Sequence, residues 1–288
     1  MKFIIIIISG LLSNGLPDNH EILSQKHNII GENNLSILSW NIKMLPPPYG
    51  WSQNPLERAE NIIQTLKNSK IYDVILFQEA FSGNIRNIIF NALKNIYPNQ
   101  IEPHDNTHFY KNNSGLWIIS CNAIILIDEI SFSHLRGWDK LVSKGAKLYS
   151  ITKNQQEFYL INTHMQADYQ TKYSNIRTSQ YMELQEKLIL PNENPEIPVI
   201  LCGDLNIARP SKLKLMLERI NFMNGPLIGD LKYSSLGSKH ELLDYILVKK
   251  KNFKFKSIER RIQDMSVNLF IDPIKLSDHY PIEGIFKW

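Results

Sequence analysis

The 288-residue sequence contains few of the residues that define several common protein classes. Its two cysteines exclude a disulfide-dense scaffold and a four-cysteine zinc site. After Leu12, no stretch approaches the roughly twenty apolar residues of a transmembrane helix, so no integral membrane span is expected. Basic residues exceed acidic residues by only 32 to 28, too little for a protein dedicated to coating nucleic acid.

The sequence also lacks the short motifs of several enzyme classes. It contains no glycine-rich phosphate loop, no Gly-x-Ser-x-Gly elbow and no His-Glu-x-x-His zinc helix. The sequence therefore does not indicate the enzyme classes that these motifs mark.

An apolar run near Met1 predicts export from the cell. Lys2 is followed by about ten apolar residues, the length of the core of a secretory signal peptide. We predict a signal peptide over residues 1–16, a mobile segment leading into the domain over 17–34, and a single domain over 35–288. A β-strand is the alternative for the first residues, because Ile and Phe also favour strands.

Short apolar strands and amphipathic helices alternate along the rest of the chain. The predicted strands are Leu35–Asn41, Asp73–Gln78, Gly115–Ser120, Ala123–Leu126, Lys147–Thr152, Glu157–Thr163, Val199–Cys202, Asp244–Val248 and Ile282–Phe286. One helix should begin at Pro55 with a cap from the Asn54 side chain, and a second should cover Ile85–Ile96. Weaker helical patterns cover 174–189 and 211–220. Helices outside sheets, with some strands paired antiparallel, predict an α/β (α+β) fold.

Polar residues that can bind metal or phosphate lie beside six of the apolar segments. They are Asn41, Glu79, His164, Asp204 with Asn206, Asp244, and Asp278 with His279. A lone acidic or amide residue after a strand is usually a turn residue or a helix cap. A lone histidine is usually a structural hydrogen-bonding group. Six such positions in one chain favour a shared active site, because strand ends hold side chains rigidly.

The residue types fit metal-assisted hydrolysis of a phosphate ester. Glu79 is a hard oxygen ligand suited to Mg²⁺. His279 is a candidate general base, and Asp244 could fix its tautomer. His164, Asn206 and Asn41 could donate hydrogen bonds to a phosphoryl group that gathers charge in the transition state.

The ordered motifs resemble those of the endonuclease/exonuclease/phosphatase superfamily from about Leu35 to Trp288. They are Ser39-Trp40-Asn41, Gln78-Glu79, Thr163-His164, Gly203-Asp204-Leu205-Asn206, Leu243-Asp244-Tyr245 and Ser277-Asp278-His279-Tyr280-Pro281. The resemblance implies a deoxyribonuclease-like four-layer sandwich, in which helices flank two central mixed β-sheets and Mg²⁺ binds at one end. Residues 35–288 would then be a single catalytic domain.

Within that superfamily the chain resembles the secreted neutral sphingomyelinases. The segments that carry this resemblance are Asn41–Pro46, Ser143–Tyr149 and Thr163–Ala167, whose Gln166-Ala167 pair is uncommon in nucleases. The resemblance implies Mg²⁺-dependent, phospholipase C-type cleavage of sphingomyelin in membrane surfaces to ceramide and phosphocholine. Mn²⁺ and Co²⁺ are the alternative ions. We expect a secreted monomer with no nucleic-acid partner.

The resemblance also implies roles for individual residues. The implied metal ligands are Glu79, Asn41 and Asp278. The implied catalytic residues are His279, Asp244, His164, Asp204 and Asn206. The implied substrate-binding residues are Lys144 and Asn41. In this scheme His279 is the general base, oriented by Asp244, and Asp204 positions the attacking water or supports phosphate binding.

One departure from the family concerns membrane contact. Residues 206–244 leave little room for the long hydrophobic hairpin that some haemolytic members insert into membranes, so strong haemolysis is not expected. Loops with Tyr49, Trp51 and Phe81 are the alternative candidates for membrane contact.

Three other functions stay open on the sequence alone. They are a secreted nuclease, another phosphoesterase such as an inositol phosphatase, and a non-catalytic binding protein descended from such an enzyme. The mild basic excess argues against a nuclease, because duplex binding depends on several phosphate contacts. The complete set of polar residues at the strand ends argues against a loss of catalysis.

Overall fold

The protein is described here by a computed structural model that covers residues 33–45, 50–104, 112–167, 172–250, 253–265 and 276–288. The predicted signal peptide lies outside the described residues. So does the predicted leading segment, apart from its last two residues.

Strands dominate the described part of the chain. They are β1 (Asn34–Met44), β2 (Val74–Ala80), β3 (Asn99–Ile101), β4 (Trp117–Ser120), β5 (Ile124–Ser131), β6 (Gly145–Lys153), β7 (Gln156–His164), β8 (Val199–Asp204), β9 (Phe222–Asn224), β10 (Leu227–Ile228), β11 (Asp244–Lys249), β12 (Ser257–Ile262) and β13 (Ile282–Lys287). The helices are α1 (Pro55–Asn68), α2 (Gly83–Leu93), α3 (Ser174–Leu184) and α4 (Pro210–Ile220). Short 3₁₀ turns occur at Trp51–Gln53 and Gly137–Leu141, and a π-helical turn occurs at Gln185–Ile189.

The strands form two mixed sheets. The strand order is β10-β12-β13-β1-β2-β4-β3 in the first sheet and β5-β6-β7-β8-β11-β9 in the second. β1 is parallel to β2 and β7 is parallel to β8, whereas β13 and β11 run antiparallel to β1 and β8. The carboxyl ends of the parallel strands therefore lie beside the amino ends of β13 and β11.

Three apolar layers hold the sheets and helices together. Side chains alternate along β1, so Ile37 faces the second sheet and Leu38 faces the helices. Between the sheets, Ile37 and its neighbours pack with residues such as Leu160 and Ile200. α1 and α2 cover the first sheet, and α3 and α4 cover the second. This helix–sheet–sheet–helix order confirms the predicted four-layer sandwich.

Several details differ from the sequence prediction. Strands β3, β9, β10 and β12 were not predicted, because they are short or, in β12, rich in charged residues. The second helix ends at Leu93 rather than at Ile96. α1 begins at Pro55 as predicted, but Asn54 has a φ of 46° and makes no side-chain cap. Its Nδ2 instead lies 3.4 Å from Glu57 Oε2.

The described residues also bear on membrane contact. No helix among them is long and apolar enough to cross a membrane. Phe81 is buried, so the prediction that it contacts membranes from a loop is wrong. Tyr49 and the side chain of Trp51 lie outside what the structure describes. Residues 206–244 form α4, β9, β10 and connecting loops, without a long hairpin.

Candidate active site

The polar residues at the strand ends meet at one edge of the two sheets. Asn41, near the end of β1, donates from Nδ2 to Glu79 Oε1 on β2 at 3.0 Å. The same Nδ2 donates to Asp204 Oδ2 on β8, in the other sheet, at 3.1 Å. Asn41 is buried and therefore joins the two sheets at the centre of the site.

The backbone leaves regular strand geometry where this site forms. The pairing of β1 with β2 shifts register between Asn41 and Met44. Lys43 and Glu79 have φ values of 47° and 54°, in the left-handed region that side chains usually avoid. A Cβ on Gly115 would lie 3.1 Å from the Glu79 Cα, so glycine permits the close approach of the neighbouring chain.

Arg58 fastens the backbone around this irregular edge. From α1, its guanidinium donates to the carbonyl oxygens of Ile42 at 2.5 Å, Lys43 at 2.9 Å and Leu276 at 2.9 Å. These carbonyls lie on the chain segments that carry Asn41 and Asp278. Arg58 was not predicted as a site residue, although its place four residues before Ile62 puts it on the buried face of α1.

His279 forms a hydrogen-bonded pair with the buried Asp244. His279 Nδ1 lies 2.7 Å from Asp244 Oδ2, and Asp244 is fully buried at the start of β11. His279 Nε2 lies 3.9 Å from Asp204 Oδ2. Burial alone would lower the pKa of His279, but the carboxylates of Asp244 and Asp204 outweigh burial and raise this pKa to about 10. The surrounding carboxylates therefore stabilise the imidazolium form of His279.

Asp204 is the last residue of β8 and accepts hydrogen bonds at both carboxylate oxygens. Its Oδ2 accepts the hydrogen bond from Asn41, and its Oδ1 accepts one from the backbone N–H of Asn206 at 2.9 Å. Burial and the nearby Asp244 carboxylate raise the pKa of Asp204 to about 7. Asn206 has a φ of 53° and donates from Nδ2 to the carbonyl of Met165 at 3.1 Å.

Lys144 brings a buried positive charge to the site. Its Nζ donates to His164 Nε2 at 2.9 Å and to the Met165 carbonyl at 2.9 Å, and pairs with Asp139 at 3.0 Å. Burial, followed by the charges of Lys144 and His279, holds the pKa of His164 well below its usual range. A neutral His164 can accept a hydrogen bond at Nε2 from the Lys144 ammonium. Of these two residues, Lys144 is therefore the stronger hydrogen-bond donor.

The predicted metal ligands supply oxygen atoms from carboxylates and an amide. Glu79 is one-fifth exposed in its side chain, and burial followed by the Asp278 charge raises its pKa. A divalent cation would relieve this repulsion between carboxylates, and Mg²⁺ prefers oxygen ligands. Asp278 itself pairs with Lys43 Nζ at 2.7 Å. The donor set of Glu79, Asn41 and Asp278 therefore fits such an ion.

A second group of residues could also ligate a metal. Ligand atoms of Asp204, Asp244 and His279 lie within 4.8 Å of one another. The short bond between His279 and Asp244 already occupies one imidazole nitrogen and one carboxylate oxygen. That geometry suits a proton-accepting pair better than a complete metal site.

A buried polar pair joins the sheets beneath the site. Gln78, next to Glu79, donates from Nε2 to Asn162 Oδ1 at 2.8 Å, and Asn162 donates from Nδ2 to the Phe77 carbonyl at 3.0 Å. Both side chains are fully buried. Asn162 was not predicted as a site residue, although an amide inside the apolar strand segment 160–163 was a visible signal.

Comparisons with known proteins agree with this architecture. The profile of the Endonuclease/Exonuclease/phosphatase family matches residues 38–279. A sphingomyelinase C of Leptospira interrogans is 28% identical over 96% of this chain, which spans about half (53%) of that relative's length. A sphingomyelinase C of Listeria ivanovii is 26% identical over 87% of this chain and 86% of its own length.

A solved structure supports the fold. A double mutant of beta toxin from Staphylococcus aureus, with bound magnesium ions, is 23% identical and has a TM-score of 0.73. The match covers 88% of this chain and 100% of that chain. At this identity the likeness shows a shared fold.

Proposed function

This chain belongs to the endonuclease/exonuclease/phosphatase family, and we propose that it is a secreted Mg²⁺-dependent phosphodiesterase that cleaves sphingomyelin to ceramide and phosphocholine. The observation that carries the chemistry is the pair of His279 with the buried Asp244, at 2.7 Å, facing Asp204. The substrate is proposed from the similarity to proteins named sphingomyelinase C and from the Gln166-Ala167 pair.

Proton transfer is assigned to His279. Its Nε2 accepts a proton from a water molecule, whose oxygen attacks phosphorus as the bond from phosphorus to the ceramide oxygen breaks. The ceramide oxygen then takes a proton from solvent, and phosphocholine is released. Asp244 holds the imidazole through Nδ1 and stabilises the imidazolium that forms. Asp204 positions the water, because its Oδ2 lies 3.9 Å from His279 Nε2.

The remaining residues stabilise negative charge on the phosphoryl group. Lys144 supplies a buried ammonium and Asn206 supplies an amide donor, in a site where burial strengthens each interaction. Asn41 lies beside the phosphoryl group and orients Glu79 and Asp204 through its two Nδ2 hydrogen bonds. His164 holds the Lys144 ammonium at 2.9 Å. Glu79, Asn41 and Asp278 would hold the Mg²⁺, which when bound supplies Lewis-acid stabilisation of phosphoryl oxygens.

Secretion and the monomeric state belong to the same proposal. Lys2 and the apolar run after it support a signal peptide over residues 1–16, followed by a single catalytic domain over 35–288. A monomer is proposed because one chain supplies every polar residue of the candidate site.

The test is phosphocholine release from sphingomyelin vesicles, with Mg²⁺, Mn²⁺, Co²⁺ or EDTA, beside a plasmid-nicking assay. We expect release that requires a divalent ion, with no nicking. Glu79→Gln should lose release while keeping its melting temperature, because it removes a metal-binding charge without changing side-chain volume. Plasmid nicking without phosphocholine release would indicate that the protein is a nuclease of the same family. Release unaffected by EDTA or by Glu79→Gln would contradict the metal role.

A further inference from the structure

We propose that the turn Gly137–Leu141 docks this protein on a lipid bilayer, with the Trp138 side chain inserted at the level of the lipid headgroups. This inference rests on the proposed function, because a substrate held in a membrane must be reached from the bilayer surface.

The turn presents apolar side chains to solvent. Trp138 is 67% exposed, the highest value among the large exposed hydrophobic residues in the described part of the chain, and Leu141 is 38% exposed. By contrast, Trp40 and Trp117 are buried in the core. An indole combines a large apolar surface with one N–H donor, which favours the boundary between headgroups and acyl chains.

The turn is attached directly to the candidate active site. Asp139, the residue after Trp138, pairs with Lys144 Nζ at 3.0 Å and accepts the backbone N–H of Ala167 at 2.8 Å. Lys144 in turn contacts His164 at 2.9 Å. A bilayer that contacts Trp138 would therefore lie at the edge where the substrate phosphate must bind.

Gln166 holds the turn in place. Its Oε1 accepts the backbone N–H of Arg136 at 2.7 Å, and its Nε2 donates to the Arg136 carbonyl at 3.1 Å. Gln166 is fully buried, so the two bonds fix the start of the turn. A fixed turn loses little conformational entropy on binding, which favours its use as a docking surface.

The charges around Trp138 match a phosphate-rich surface. Arg136 and Lys140 flank the tryptophan and are exposed. Asp139, the acidic residue of the turn, is held by its ion pair with the buried Lys144. The outer side of the turn therefore combines an aromatic ring with two cations, the composition of segments that bind at membrane interfaces.

The test compares Trp138→Ala with Ile125→Ala in co-sedimentation with phosphatidylcholine/sphingomyelin vesicles. Ile125 is 62% exposed and pairs with Ser150, toward the end of the second sheet that lies away from His164. We expect Trp138→Ala to lower partitioning about ten-fold or more, because it removes most of the apolar area at the contact. Ile125→Ala should stay within about two-fold of wild type.

Two further measurements separate docking from catalysis. Tryptophan emission of wild type should shift to shorter wavelength when phosphatidylcholine vesicles without sphingomyelin are added, and the Trp138→Phe variant should lose most of this shift. Turnover of water-soluble p-nitrophenyl phosphocholine should be the same in Trp138→Ala and wild type. Adding phosphatidylserine should strengthen binding of wild type more than binding of a variant with both Arg136→Gln and Lys140→Gln.

Several outcomes would overturn the docking proposal. They are wild-type protein that does not bind vesicles, Trp138→Ala that binds as wild type does, and equal losses in Trp138→Ala and Ile125→Ala. Vesicle binding that depends on Trp138, without hydrolysis of either substrate, would support docking and contradict the proposed function. The two proposals can therefore fail separately.

Discussion

Replacing Asp244 with asparagine removes the charge beside His279 while keeping the volume of the side chain. Two unit charges about 4 Å apart interact by about 4 kcal/mol at an effective dielectric constant near 20. Each 1.36 kcal/mol corresponds to about a ten-fold change in rate. We therefore expect Asp244→Asn to lower kcat by roughly 10³-fold, because the imidazolium formed in the transition state loses its partner.

The pH profile tests the same reasoning independently of the rate. Burial lowers the pKa of His279 and the Asp244 carboxylate raises it, so the variant should have a His279 of lower pKa. Since the base must be deprotonated to act, the acidic limb of the profile of kcat against pH should move to lower pH. The assay is phosphocholine release from sphingomyelin in detergent micelles, across pH.

Asp230→Asn is the matched control, because Asp230 is exposed and lies outside the candidate site. It should keep both kcat and the profile of wild type. The reasoning is refuted if Asp244→Asn retains kcat within about three-fold, or loses kcat with no movement of the acidic limb. A melting temperature within a few degrees of wild type would show that the loss is chemical.

Three other predictions follow from contacts around the site and in the outer layer. Lys144→Gln should lower kcat about 100-fold in micelle assays, because it removes a buried cation from the phosphoryl site; an unchanged kcat would contradict this role. Arg58→Met should lower the free energy of urea unfolding by about 3 kcal/mol, because three buried carbonyls lose their donor; a loss below about 1 kcal/mol would contradict the fastening role. Burial opposes the low pKa of Glu183, but hydrogen bonds from Ser133 and Lys187 outweigh it. Glu183→Gln should therefore be less stable than wild type at pH 7. The difference in melting temperature between the two proteins should vanish as pH falls below the lowered pKa of Glu183. A difference that does not depend on pH would contradict this prediction.

Helices outside mixed sheets could be predicted because apolar strands and amphipathic helices leave periodic patterns, whereas the four-layer order was implied by the resemblance to the endonuclease/exonuclease/phosphatase superfamily. Strands such as β9 and β10 are too short to show such a pattern. The charged residues of β12 do not indicate that the strand is partly buried. The expected cap at Asn54 was wrong because this residue adopts a left-handed conformation, which an Asn-Pro pair in the sequence does not reveal.

The convergence of the candidate site could be predicted from the positions of polar residues at strand ends. The topology places carboxyl ends of parallel strands beside amino ends of antiparallel ones, so residues as distant as Asn41 and Asp204 meet. Arg58 and Asn162 act through backbone carbonyls of other segments. Such contacts depend on tertiary packing, so the sequence alone did not single them out.

The exposed tryptophan of the turn Gly137–Leu141 could not be predicted from the sequence. Exposure of an aromatic residue cannot be read from sequence, because Phe81 and Trp138 both lie in segments between the predicted strands and helices. Phe81 is 6% exposed and Trp138 is 67% exposed. The structure therefore moves the candidate membrane contact from Phe81 to the turn Gly137–Leu141.

The central claim is that water, activated by His279, attacks the phosphorus of sphingomyelin. Hydrolysis in ¹⁸O-enriched water, with mass spectrometry of both products, tests that claim most directly. The account predicts one ¹⁸O atom in phosphocholine and none in ceramide. Label in ceramide, or no phosphocholine from sphingomyelin in the presence of Mg²⁺, would contradict it.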